Sequence, residues 1–414
     1  MTVFVLFLVA MVVGIAPSVS ATTFQKVAIT QENFKTTRFI TKPGYYLFAE
    51  SVVFPCYEPA LVIDADDVTV DFGGYVLAAP QTITQSGSRD HVGIRIEKRR
   101  NNISIINGTV SYFHDNGIDM NDNSNISVLN MKLISNGSGC VARNVATLIC
   151  KDSSIFNSHV DGIRASSISG STFSSIFISD AGQNSPVMDK YCGFNLESVY
   201  NCEFTTCVVT GLQAQNTVTG FSIVASSCNS FSACKSSGNS ATLATGFYLA
   251  GGSNNKFSAI EASRNSGSLY TESEVCGFFC DEGETAFLVT GSDFSNNSSF
   301  VGSAYGMKIG RDGSLIFPSL GIIQGNSFMQ NSGAIVQYGV KDFSIPSANA
   351  YITNKAFGQG RTFTAGSTMI DTGSMNYCIF TSELNNIVKE TSYTDQTLSA
   401  NDISLKNISY YQAN

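Results

Sequence analysis

A glycine followed by an apolar residue recurs along this chain at Gly93-Ile94, Gly117-Ile118, Gly139-Cys140, Gly162-Ile163, Gly193-Phe194, Gly220-Phe221, Gly246-Phe247, Gly277-Phe278, Gly306-Met307 and Gly333-Ala334, at intervals of 22 to 31 residues. Glycines placed at random would not space themselves so evenly while each precedes a residue fit for a core. A fixed period of this length is the mark of a solenoid, in which every unit packs against its two neighbours. Residues after the glycine also align. Counted from Gly193, Gly220 and Gly246, a phenylalanine falls eleven positions on (Phe204, Phe231, Phe257), and Cys207, Cys234 and Ile260 fall fourteen on.

Each unit holds two or three short alternating runs separated by Asn, Gly and Ser, which fits a coil of parallel strands. The leucine consensus of leucine-rich repeats, which have a similar period, is missing. Coils rising by about 4.8 Å stack equivalent positions into columns. The stacking predicts an inward aromatic column of Phe204, Phe231 and Phe257. It also predicts a corner ladder of Asn102, Asn125 and Asn254, because asparagine tolerates a left-handed bend and carries both donor and acceptor. Cys207 and Cys234 share a column at a spacing that a disulfide accepts, and a reduced inward pair fits the same column.

The chain ends read differently from the repeat. The apolar run Val3 to Val13, a Gly/Pro break and Val19-Ser20-Ala21 read as a signal peptide of residues 1–21, so the mature chain is expected to be secreted, extracellular or at the cell surface. The remaining length divides into an N-terminal cap (22–60), the solenoid (61–340), and an irregular last coil with a C-terminal cap (341–414). No later run reaches the roughly 20 apolar residues of a membrane-spanning helix. A net charge of -8 excludes the basic face that nucleic acid requires.

The segment ITKPGYYLFAE, and ALVIDADDVTVDFGGYVLAAP from Ala60, carry Pro43, Gly44, Tyr46, Ile63, Asp67, Val68, Thr69, Asp71 and Gly74 in a pattern that resembles the opening coil of right-handed parallel β-helix repeat proteins of the pectin-lyase-like superfamily, NosD-like members included. The resemblance spans residues from about 40 to 335. It implies an all-β fold, a single-stranded right-handed parallel β-helix of about ten coils with N- and C-terminal caps. It implies little about chemistry, because the fold hosts lyases, hydrolases, epimerases, tailspikes and surface proteins without activity. Spikes of this fold often trimerise, which leaves the oligomeric state open.

All three histidines precede a coil-opening glycine: His91 by two positions, His114 and His159 by three. Asp115 and Asp161 stand beside them, and two positions after the glycines one column reads Arg95, Asp119, Val141, Arg164. These residues define a candidate edge. His114, Asp119 and Arg164 are the catalytic candidates, and His91, Arg95, Asp115, His159 and Asp161 the binding candidates. The arginines suit the carboxylates of an acidic glycan, and a histidine or aspartate suits proton transfer. A plainer reading exists, since Asp or Asn before Gly is what a turn prefers.

The catalytic motifs of the polygalacturonase-type hydrolases and mannuronan epimerases that share the resembled fold are missing. Asp66-Asp67 is the sole Asp-Asp pair, and there is no Gly-His-Gly, Arg-x-Lys or Asp-Pro-His. No cofactor is expected; calcium is the one ion that Asp115, Asp119 and Asp122 loosely invite. The run CDEGE (280–284) reads as a solvated acidic loop. The leading expectation is therefore a glycan-binding or structural β-helix protein without a clear catalytic motif. A polysaccharide-active enzyme, lyase before hydrolase, is the first alternative, and a viral or envelope spike the second.

Overall fold

The computed structural model describes residues 26–55, 58–81, 91–180, 190–268, 272–311, 318, 321–333 and 336–342, with short strands beyond, the last of them Tyr411–Ala413. The signal-peptide reading of residues 1–21 and most of 341–414 lie outside the described residues. No described helix is long and apolar enough to cross a membrane.

The chain is a parallel β-helix. One sheet stacks thirteen strands, from Phe39–Ile40 through Val92–Ile96, Asn116–Asn121, Ser138–Arg143, Asp161–Ser166 and onward to Met369–Asp371. It is called the site sheet below. A second sheet of twenty-two strands supplies the other walls of each coil. Strand pairs are parallel throughout, except where Asn376–Ile379 meets Tyr411–Ala413. The one helix among the described residues, Phe34–Thr37, buries Phe34 against Phe48 and Phe54 near the first coils.

Alternation explains which side chains enter the core. In Gly44–Phe48 and Val68–Asp71 every second residue is buried, as a two-residue period demands. The predicted aromatic column is present and begins one coil earlier: Phe173, Phe204, Phe231 and Phe257 stack at centroid spacings of 4.8, 4.5 and 4.9 Å. A second column, Phe194, Phe221 and Phe247, stacks at 4.8 and 4.5 Å and meets the first edge-on. Offset and edge-on contacts suit the ring quadrupole and add to the area that each ring removes from water.

The recurring glycine is required by close approach. A Cβ on Gly193 would lie 2.5 Å from Val209 Cγ1 and 2.7 Å from the Gly220 carbonyl oxygen; on Gly162, 2.6 Å from the Gly193 oxygen and 2.7 Å from Ile178. None of the glycines from Gly93 to Gly306 in this column has a positive φ. The tenth place in the column belongs to Gly339, whose carbonyl oxygen stands 2.6 Å from a Cβ on Gly306, and Met307 pairs with Val340. Gly333, expected in that place, lies instead in the short strand Ser332–Gly333, paired with Ser298–Ser299, because this coil is longer than those before it.

Positive φ is concentrated at corners. Asp67, Asn102, Asn125, Thr147, Gly170, Asn201, Cys228 and Asn254 form one column with φ between 52 and 61°. The three asparagines expected to form a ladder thus share a corner, yet their amides do not bond one another. Asn102 donates to Asp67 Oδ1, and Asn125, although on the adjacent coil, turns to Asn101 Oδ1; between Asn125 and Asn254 the column passes through Thr147, Gly170 and Cys228, which have no amide side chain. The amide ladders are buried elsewhere: Asn239, Asn265, Asn297 and Asn331 bond in series at 3.0, 2.9 and 3.0 Å, and Asn229 bonds Asn255 at 3.1 Å.

Cys207 and Cys234 do share a column, and both are free thiols. Each donates to a carbonyl one coil back, Cys207 to Phe173 and Cys234 to Phe204, so the structure holds them as the reduced, packed pair that the same column also fits. Burial pushes the Cys207 thiol well above its ordinary value.

Two measurements check this packing. Gly193→Ala is expected to lower stability in urea unfolding by about 1–3 kcal/mol through overpacking, and Phe231→Ala by about 3–5 kcal/mol through the cavity it leaves. Alkylation of the denatured, unreduced protein followed by peptide mapping is expected to find both Cys207 and Cys234 labelled.

Candidate functional site

On the site sheet, residues one before, two after and four after the glycine face outward and form three parallel rows. Val92, Val141 and Cys192, which stand in these rows, are buried yet lie outside the main hydrophobic core. The central row contains Arg95, Asp119, Val141 and Arg164 in adjacent register, as the spacing predicts, and continues through Asn195 and Ser222 to Tyr248, Phe279 and Lys308.

Asp119 is 7% exposed. Its Oδ1 accepts from Asn121 Nδ2 at 3.1 Å and lies 3.5 Å from Arg143 Nη1, while Arg95 stands across the ladder on the preceding coil. Burial raises its carboxyl above the usual carboxylate value, although Arg143, Arg95 and the amides of Asn121 and Asn116 oppose the shift. Desolvation outweighs the nearby positive charges here because the arginines keep much of their own hydration. Arg143 is held in turn by Asn121 Oδ1 at 3.2 Å.

One coil beyond Val141, Arg164 donates from Nε and Nη2 to Asp161 Oδ2, each at 2.7 Å, and Asn195 adds a longer bond of 3.3 Å to the same oxygen. Asp161 is buried, while the Arg164 side chain stays 39% exposed. The arginine therefore presents its outer edge to solvent from a fixed base.

The histidines occupy the corner that leads into these strands, and their surroundings divide them. The His91 ring is buried against Phe113 at 5.3 Å, and its Nδ1 accepts the His114 backbone N–H at 3.1 Å. The His91 backbone N–H donates to Asp115 Oδ2 at 2.8 Å, which commits Asp115 to the turn. Burial lowers the pKa of His91 and of His159, with the charge of His114 acting in the same direction. His114 is the open member, 40% exposed and 3.7 Å from Asp115 Oδ1. The predicted edge thus resolves into an outward arginine–aspartate face (Arg95, Asp119, Asp161, Arg164) and a corner cluster with a turn-building role for His91 and Asp115.

Sequence reasoning missed Arg143, Asn121 and Asn195, and a second cluster farther along the same rows. Tyr248 donates to Asp281 Oδ2 at 2.8 Å, and Arg311 grips Asp281 through Nε at 2.9 Å and through Nη2. Burial, followed by the hydrogen bond to Asp281, pushes the Tyr248 phenol up to about 12. Lys308 donates to both Glu274 carboxylate oxygens at 2.8 Å and lies 4.8 Å over the Phe279 ring. Extending the glycine count to every coil, at plus two and plus four, reaches all of these except Glu274 and Arg311. The reading of CDEGE as a solvated loop fails: Glu282 is exposed, but Asp281 and Glu284 are buried. Among the described residues no three His, Cys, Asp or Glu side chains group as a metal site.

Removing Arg143 takes away the strongest of the positive charges that oppose the effect of burial on Asp119. Arg143→Ala is therefore expected to raise the Asp119 pKa further, read as a higher titration midpoint of its carboxyl carbon by NMR.

No protein-family model and no curated protein matches the sequence. Solved structures match in fold. The A-module of mannuronan C-5 epimerase AlgE6 from Azotobacter vinelandii is 13% identical, with 85% of this chain and 94% of that chain covered and a TM-score of 0.58. The periplasmic alginate epimerase AlgG is 12% identical over 86% of this chain and 83% of that one, with a TM-score of 0.52. The catalytic domain of a GH87 alpha-1,3-glucanase in complex with nigerose is 12% identical over 86% and 66%, with a TM-score of 0.51. The fold is accordingly the right-handed parallel β-helix of the pectin-lyase-like proteins.

Proposed function

We propose that the chain is an exported, polysaccharide-active protein that takes its glycan along the outward face of the site sheet. The observation that carries this reading is Asp119, a carboxyl raised by burial, set among Arg95, Arg143 and Asn121 on an outward row. A carboxyl brought closer to neutrality can give and take a proton, and the arginines beside it can meet the carboxylates of an acidic sugar. Asp119 has the role of proton-transfer group, Arg95 and Arg164 hold the glycan, and Arg143 tunes Asp119. The structures similar in fold, two alginate epimerases and a glucanase in complex with nigerose, support polysaccharide as the substrate class. Proton transfer next to a bound uronate places lyase or epimerase chemistry ahead of hydrolysis.

Glycan binding without turnover is the second reading, favoured by the commitment of His91 and Asp115 to the corner turn. A particle-associated scaffold would need none of this chemistry.

The discriminating experiment incubates the purified protein with acidic and neutral polysaccharides. Unsaturated products are followed by ultraviolet absorbance, new reducing ends chemically, and epimerisation by NMR. Asp119→Asn is expected to lower turnover by about 10²- to 10⁴-fold while affinity changes little, and Arg95→Ala with Arg164→Ala is expected to weaken binding. Binding with no product from any substrate would select the second reading; absence of both would sink the proposal.

A further inference from the structure

The buried carboxyl of Glu284 completes a ladder that is otherwise made of amides. Each asparagine in that ladder uses both ends of its side chain. Asn229 Oδ1 accepts the Cys202 N–H at 3.0 Å, and its Nδ2 donates to the Val199 carbonyl one coil back at 2.9 Å. Asn255 repeats the pattern: Oδ1 accepts the Asn229 N–H at 3.1 Å, and Nδ2 donates to the Ser226 carbonyl at 2.7 Å. The next rung is Glu284, fully buried, whose Oε1 accepts from Asn255 Nδ2 at 3.0 Å. Its Oε2 is buried without a hydrogen-bond partner and lies 2.9 Å from the place a Cβ on Gly252 would take, in the strand Gly252–Ser253 that pairs with Glu284–Thr285.

In the two rungs before it, the position of Oε2 is held by an N–H that donates to the preceding coil. An ionised carboxylate has no proton to donate there and would set a bare charge in a dry corner, at large cost. We propose that Glu284 folds as a neutral carboxylic acid, its Oε2 carrying the proton at the place where the two preceding rungs carry an N–H, and that loss of this proton loosens the corner after strand Glu274–Cys280.

The surroundings support this assignment. Burial pushes the Glu284 carboxyl up to about 7, the one opposing influence being the Asn255 amide, and no charged group contributes. Asp281, three residues before it, is taken up by Tyr248 and Arg311, Lys256 beside Asn255 is exposed, and Glu282 is exposed as well.

The linkage has a definite sign. The folded pKa lies above the ordinary value of 4.5, so the folded state binds the extra proton. The stabilisation is complete below about 4.5, declines as pH rises, and is gone above about 7. Glutamine keeps the shape and stays neutral at every pH.

The test compares thermal unfolding of the full chain and Glu284→Gln across this range. The variant is expected to gain on the parent progressively from pH 4.5 to 7, by several degrees in melting midpoint, and then to run parallel to it. Curves that stay parallel throughout, or a gap that narrows with rising pH, would overturn the proposal. Should the variant fail to fold, carboxyl-carbon NMR of the parent decides: a Glu284 midpoint near 7 supports the neutral acid, and one near 4.5 refutes it.

Discussion

The fold depends on how closely the site sheet is pressed against the wall facing it. At every coil from Gly93 to Gly306 a methyl group on the glycine would overlap the next coil's carbonyl oxygen, and at most of them a residue of the facing wall as well. This contact sets the cross-section of the solenoid. It brings the column of Ile118, Ile163, Phe194 and Phe221 into the core immediately after the glycine, and it fixes which residues on either side must face out. The outward rows and the core follow from one repeated contact, with hydrogen-bonded parallel strands holding successive copies in register.

For that reason the architecture was legible in the sequence and the site partly so. Counting from a glycine identified the aromatic stack and placed Arg95, Asp119, Val141 and Arg164 in one row, because register is a property of the backbone and the sequence carries it directly. What failed was side-chain conformation and coil length. Gly333 was taken for a column member because the true one, Gly339, follows a longer coil. Asn102, Asn125 and Asn254 share their corner, but residues without amides interrupt the series, while the working ladders are built from buried asparagines such as Asn255, the residue after Asn254, and Asn265. His91 and Asp115 were read as ligand-facing, and the local turn had already claimed them.

The acidic groups illustrate a wider point about this interior. Asp161 and Asp281 are buried and held by arginine, Asp119 is buried beside arginines and raised, and Glu284 is buried with an amide alone. Four carboxyls with similar exposure thus differ in what holds them, from an arginine fork to a single amide.

The outward rows have one more consequence. Since each coil contributes one residue to each row at the pitch of a parallel ladder, about 4.8 Å, the face behaves as a comb whose teeth differ in chemistry while their spacing does not. A change at one tooth leaves the pitch untouched, so the face can be rewritten residue by residue. Gain or loss of a whole coil would lengthen or shorten the comb by one tooth, and with it the stretch of any linear molecule laid along it.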